Sequence, residues 1–140
     1  MNVDFLDTNV LVYLFDETDP AKHAVARGVV ENALVHGCGV VSFQVVQETL
    51  NVLTRKLKVN ARAEDAASFM QHTLVPLWRV QPSPALYAKA MEIQQRLGYG
   101  FYDSLIVAAA LEAGCQRLLS EDLQHGQRIG KLRVENPFRG

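Results

Sequence analysis

Val3-Asp4-Phe5-Leu6-Asp7-Thr8-Asn9 is the stretch from which the fold can be read. A short, largely apolar run from Val3 to Leu6 breaks at a carboxylate followed by two small polar residues. A run of this length, bounded by polar breakers, predicts a buried strand. Asp19-Pro20 sets a favoured capping side chain before a first-turn proline and predicts a helix to about Val35. Gly37 and Gly39 bracket its end, and Val40-Val41 predicts a second strand. Ser42 can cap a helix to about Leu57, and a further helix spans about Ala63 to His72. Leu74 to Val80 predicts a third strand, in which Pro76 is an awkward member because it cannot donate to a ladder. Ser83-Pro84 repeats the cap-and-proline signal, with Leu86, Ala90, Ile93 and Leu97 at helical spacing before Gly98. Asp103 to Ala113 predicts a helix ended by Gly114, Arg117 to Ser120 a fourth strand, and Lys131 to Glu135 a fifth. Strands separated by helices predict an α/β fold with a mainly parallel sheet.

At 140 residues the chain fits one domain, taken here as residues 1–140, and needs no disulfide or metal staple to build a core. It shows no repeat, linker or low-complexity stretch. No apolar run approaches the roughly 20 residues needed to span a bilayer, so no membrane association is expected. Met1-Asn2-Val3-Asp4 lacks the basic region and cleavage site of an export signal, which predicts a cytoplasmic protein. Cys38 and Cys115, each beside a glycine in apolar surroundings, read as buried reduced thiols. A net charge of −1 argues against a general DNA-coating protein, but not against an enzyme that grips nucleic acid locally.

Open parallel sheets bind ligands beyond the carboxyl ends of their strands. Asp7 follows the first strand and Asp122 the fourth. Glu48 borders the apolar arc formed by Val45, Val46, Thr49, Leu50, Val52 and Leu53, which predicts a place at the rim of the core. Asp103 opens a helix that is apolar almost all round, from Leu105 to Leu111, and is expected to be drawn inward with it. Singly, the three aspartates could be helix caps and Glu48 a solvated residue. Together they predict a cluster of carboxylates, which repel one another unless a cation neutralises them. Oxygen-only ligands suit Mg²⁺ or Mn²⁺, and the matching chemistry is phosphoryl transfer, in which the metal polarises a phosphate oxygen and lowers the pKa of a bound water. Thr8, Asn9 and Ser120 are short polar neighbours able either to orient these acids or to satisfy turn backbone.

Phe5-Leu6-Asp7-Thr8-Asn9-Val10-Leu11-Val12, Gln47-Glu48, Tyr102-Asp103-Ser104-Leu105-Ile106, Leu119-Ser120-Glu121-Asp122 and Asn136-Pro137-Phe138 together resemble the PIN-domain family, and within it the VapC-type toxins of bacterial toxin–antitoxin pairs. The resemblance runs in order over nearly the whole chain. It implies a three-layer α/β/α fold and an endoribonuclease dependent on Mg²⁺ or Mn²⁺, acting on single-stranded or structured RNA. It maps the family's acids onto Asp7, Glu48, Asp103 and Asp122, with Glu121 as a competitor for the last, and the family's hydroxyl position onto Thr8. It also implies a homodimer and inhibition by a small antitoxin protein.

Two other functions are compatible with an acid after the first strand. One is an aspartyl-phosphate phosphoacceptor or phosphatase with Asp7 as nucleophile. Asn9, where a second acid would be wanted, and the lack of a lysine after a late strand argue against it. The other is a non-catalytic module, which the presence of all four acids disfavours. The four histidines have no zinc-like spacing, and only His125 falls near the predicted site. Arg55, Lys56, Lys58 and Arg62, and again Arg128, Lys131 and Arg133, form basic clusters that suit either phosphate contacts or a solvated surface. Phe101 reads as core, Tyr102 as core or base-stacking, and Leu11, Leu14 and Phe15 as core or interface.

Overall fold

The computed structural model describes residues 2–56 and 63–139. A six-stranded sheet has the order β3-β2-β1-β4-β6-β5, with β1 Asp4–Leu6, β2 Gly39–Ser42, β3 Trp78–Val80, β4 Arg117–Leu119, β5 Arg128–Ile129 and β6 Leu132–Glu135. Every neighbouring pair is parallel except β5 with β6. The helices that flank it are α1 Thr8–Val12, α2 Pro20–His36, α3 Phe43–Lys56, α4 Ala63–Phe69, α5 Val75–Leu77, α6 Pro84–Leu97 and α7 Phe101–Glu112. Among the described residues, no helix is long and apolar enough to cross a membrane.

Local chemistry explains the elements. Asp19 and Ser83 cap α2 and α6, accepting from the backbone N–H groups of Lys22 and Leu86 at 3.1 Å each, and each is followed by its first-turn proline. Ser42 accepts from the N–H of Val45 at the start of α3. Gly37 ends α2 in the left-handed region at φ 61°, where a side chain would be strained. β1 is wholly buried, as a central parallel strand must be. In α7 every residue from Ser104 to Ala110 is buried, so this apolar helix lies in the core. Cys38 and Cys115 are free and buried, and burial pushes the Cys115 thiol up to about 12, so it stays protonated.

Several boundaries differ from the sequence expectation. Leu74 to Leu77 is helical, not strand: a π-helical turn over Met70–Leu74 runs into α5, and β3 is only Trp78–Val80. Pro76 decides this, because it lacks the N–H a ladder needs but fits the first turn of a helix. α7 begins two residues early, at Phe101, with Gly100 as its cap, so Asp103 lies in the first turn and is not the cap. The expected fifth strand is β6, while α1 and β5 were not anticipated. The predicted end of α3 at Leu57 lies outside the described residues.

Side chains cross-link the strands as well. Arg117 on β4 donates to both carboxylate oxygens of Asp4 on β1, at 2.8 and 2.6 Å, and to Glu135 on β6 at 2.6 Å. Arg133, expected as a possible phosphate contact, pairs with the same Glu135 at 2.7 Å.

Gly39 marks the closest approach of helix to sheet. A Cβ there would stand 2.5 Å from the Ala33 Cβ of α2. Gly39→Ala should therefore cost about 1–3 kcal/mol by overpacking. Gly28, in the exposed middle of α2 with nothing within 4 Å, is the control: Gly28→Ala should stabilise by roughly 0.5–1 kcal/mol. Urea unfolding of both variants checks the contrast. Equal effects would remove the close-packing argument.

Candidate active site

Parallel strands put their carboxyl ends on one edge. The order reverses about β1, with β2 and β3 on one flank and β4, β6 and β5 on the other. The crevice at such a reversal lies beyond the ends of β1 and β4. Asp7 and Ser120 are the residues that leave those two strands, and the Asp7 N–H donates to the Leu119 carbonyl at 3.0 Å.

Asp7 is buried, only 6% exposed. It caps α1. Its Oδ1 accepts from the Thr8 N–H at 2.7 Å, and its Oδ2 accepts from the Ser120 hydroxyl at 2.7 Å. Ser120 in turn accepts from the Asp122 N–H at 3.1 Å. Burial raises the Asp7 carboxyl from 3.8 to about 6. The two hydrogen bonds oppose that rise, while the charges of Asp122 and Glu48 add to it.

The other three acids are exposed: Glu48 and Asp122 line the cleft outside Asp7 and their charges reach it, while Asp103 is tied to the group only through the charge of Asp122. Glu48 Oε1 accepts from the Thr8 hydroxyl at 3.0 Å, and Asp122 Oδ2 accepts from the Asn9 side-chain amide at 3.0 Å. Partial desolvation raises the Asp103 carboxyl, and the charge of Asp122 adds to it. The side chains of Thr8, Asn9 and Ser120 thus each donate to one acid, Glu48, Asp122 and Asp7 respectively, and the Thr8 N–H adds a second bond to Asp7.

Two expectations about depth are corrected. Asp103 is not drawn inward, because the early start of α7 leaves Tyr102 and Asp103 outside the core and burial begins at Ser104. Glu48 is exposed, because the buried face of α3 is narrower than its residue types imply: Val45, Val46, Thr49 and Leu53 are buried, while Val52 is only half-buried.

Glu121 and Asp122 face different partners. Glu121 accepts from the Tyr13 hydroxyl at 2.7 Å and pairs with Lys22 at 2.9 Å. Phe138 packs edge-on against Tyr13, with 4.9 Å between centroids, and Lys22 lies over both rings. The Asp122 charge instead raises both Asp7 and Asp103. Sequence reading missed this clamp, since nothing local links positions 13, 22, 121 and 138. His125 is also occupied, accepting from the Asn136 N–H at 3.0 Å.

Asp4, Glu135 and Glu121 each have a lysine or arginine partner. Asp7, Glu48, Asp103 and Asp122 form no ion pair among the described residues, and the hydrogen bonds to Asp7, Glu48 and Asp122 come from neutral donors. Nor do they close a cage: among the described residues, no three His, Cys, Asp or Glu side chains stand as a finished metal-ligand set. Mg²⁺ does not require one, since it is commonly held by one or two carboxylates and keeps its other waters. An all-oxygen donor set around a buried, uncompensated carboxylate fits a hydrated hard dication of this kind. It fits poorly with Asp7 as a nucleophile, because both of its oxygens are engaged and the side chain is covered. Outside Asp7, a cleft of about 490 Å³ is lined by Thr8, Asn9, Glu48 and Asp122, and continues along α3 past Asn51 to Arg55. Lys58 and Arg62 of the same basic cluster lie outside the described residues.

A raised carboxyl pKa means that the folded chain holds the proton more tightly than the unfolded one. The stabilisation is complete below pH 3.8 and is lost as pH climbs through about 6. Without divalent cations, stability should fall by about 3 kcal/mol over that interval on account of Asp7. Asp7→Asn should flatten this fall and be the more stable protein at pH 7.5. Urea unfolding in EDTA across pH 4–8 checks it, and parallel curves for the two proteins would contradict it.

The PIN domain profile matches residues 5–130. No curated protein matches the chain. Among solved structures, the chain is similar to VapC20 of Mycobacterium tuberculosis, a Sarcin-Ricin loop cleaving toxin, with 26% identity, coverage of 85% of this chain and 91% of that one, and a TM-score of 0.60. It is also similar in fold to VapBC2 from Rickettsia felis bound to a DNA fragment from its promoter (20% identity, 96% and 98% coverage, TM-score 0.67). A third similar structure is FitAcB from Neisseria gonorrhoeae (18% identity, 98% and 99% coverage, TM-score 0.62). The profile match takes in the sheet core, α1, α3, α7 and all the acids of the crevice, and the chain belongs to the PIN-domain family.

Proposed function

We propose that this protein is an endoribonuclease dependent on Mg²⁺ or Mn²⁺, and the toxin of a toxin–antitoxin pair. The observation that carries the reading is the acid edge: the buried Asp7 with Glu48 and Asp122 at one cleft and Asp103 within reach of the Asp122 charge, none of the four in an ion pair among the described residues. PIN-domain membership supports a nuclease. Similarity to the M. tuberculosis toxin that cleaves the Sarcin-Ricin loop supports RNA as the substrate. Similarity to VapBC2 and FitAcB supports a small antitoxin as partner. A cytoplasmic homodimer built from one domain over residues 1–140 belongs to the same reading.

In this reading Asp7, Glu48, Asp103 and Asp122 hold the metal, Asp7 from below and the other three from the rim. A dication there supplies polarisation of the scissile phosphate and a lowered pKa for the attacking water. The chain's own part is to hold the acids still and ionised. Ser120 and the Thr8 N–H fix both oxygens of Asp7, so its carboxylate cannot rotate away. Thr8 and Asn9 hold Glu48 and Asp122 at the mouth, with Asn9 also accepting from the Glu121 N–H at 3.4 Å. Glu121, occupied by Tyr13 and Lys22, anchors the loop that carries Asp122 and is not itself a ligand.

The direct test is cleavage of an unstructured RNA with Mg²⁺ or Mn²⁺. Asp7→Asn should lower the rate by at least roughly 100-fold, and Ser120→Ala, which loses only the support of Asp7, by roughly 10–100-fold. Cleavage by Asp7→Asn at the parent rate, or cleavage unaffected by EDTA, would refute the reading.

A further inference from the structure

The crevice does not end at the acids. Glu48, Asn51, Val52 and Arg55 recur at intervals of three and four on α3, so they share one face, and all four line the same cleft. Val12 and Tyr13 form the facing wall. Arg55 stands two turns beyond Glu48, roughly 10 Å along the helix axis. It is exposed and makes no ion pair or hydrogen bond among the described residues. The acids that line the cleft with it are Asp16, Glu48, Glu121 and Asp122, so among the described residues of the lining Arg55 is the one cation, at the far end of an acidic groove.

The chemistry of the lining is graded. Val12 and Val52 give an apolar floor, Asn51 offers both donors and an acceptor, and the Arg55 guanidinium is a planar fork matched to a phosphate. A volume of about 490 Å³ suits one nucleotide of a single strand, not a duplex. We propose that Asn51, Val52 and Arg55 form a nucleotide subsite next to the reacting phosphate, in which Arg55 pairs with a neighbouring phosphate of a single-stranded RNA. The proposal rests on the ribonuclease reading and adds to it the path of the strand: along α3, from the acids toward its C-terminal end.

This division of labour has a physical logic. Ionised acids repel a polyanion, and a metal at their centre attracts only the phosphate it touches. Arg55 supplies attraction at a distance where it cannot neutralise the acids. It therefore binds the strand without entering the reacting centre, and its loss should appear in binding and not in turnover.

The test is binding of a short unstructured RNA in the Asp7→Asn background, which keeps the RNA intact, followed by anisotropy over a range of salt concentrations. Arg55→Ala should weaken binding by roughly tenfold. It should also flatten the plot of log affinity against log salt by about 0.7, the slope of one phosphate contact on a single strand. Arg55→Lys keeps the charge and should keep the slope while losing part of the affinity. In the active protein, Arg55→Ala should raise KM and leave kcat within about twofold, a KM-only pattern that marks lost ground-state binding. Unchanged slope and affinity in Arg55→Ala, with the parent binding normally, would overturn the subsite and leave the ribonuclease reading standing. Failure of the wild type to cleave RNA and of the parent to bind it would overturn both.

Discussion

The burial of one carboxylate organises this molecule. Asp7 leaves the central strand where the sheet order reverses, and it is buried between the ends of β1 and β4 and the start of α1. Ionising it there costs about 3 kcal/mol, a large share of the 5–15 kcal/mol by which a domain is stable. The surrounding structure limits that cost without removing it. Two neutral donors, the Thr8 N–H and the Ser120 hydroxyl, take its two oxygens. Neither brings a positive charge, and the residual cost is what a bound dication would relieve.

The contrast with the other acids makes the point sharper. Asp4 is almost as buried as Asp7, at 7% against 6% exposed, yet Arg117 grips both of its oxygens. That pair, extended to Glu135 and Arg133, laces the strands together. Glu121 sits one residue from Asp122 and is paired with Lys22. Among the described residues, the cations next to the crevice thus go to Glu121 and Asp4 and none pairs with Asp7, Glu48, Asp103 or Asp122. Arg55, the arginine in the cleft, stands two helical turns away.

Much of this was legible in the sequence. The buried strands, the capped helices opened by Asp19-Pro20 and Ser83-Pro84, and the parallel sheet follow from period and punctuation, because those signals are local. The arrival of Asp7 and Asp122 at one sheet edge follows from topology, because residues that leave parallel strands share an edge. Depth was not legible. Glu48 was expected at the rim of the core and Asp103 drawn inward, and both are exposed, since a half-buried Val52 narrows one face and an early helix start displaces the other. Long-range pairs were not legible either. Tyr13 with Glu121, and Arg117 with Asp4, join positions about a hundred residues apart, and no local period encodes them. Pro76 was legible in kind, and its preference for a helical first turn outweighed the apolar run around it.

The central claim is that the Asp7 carboxylate is held for a cation that the protein does not itself supply. The most direct measurement is the titration of that carboxyl carbon by NMR, with and without millimolar Mg²⁺. Without Mg²⁺ the midpoint should lie near the raised value of about 6. With Mg²⁺ it should fall to or below the ordinary aspartate range, because the ion favours the charged form. A midpoint that stays the same in both conditions would contradict the account.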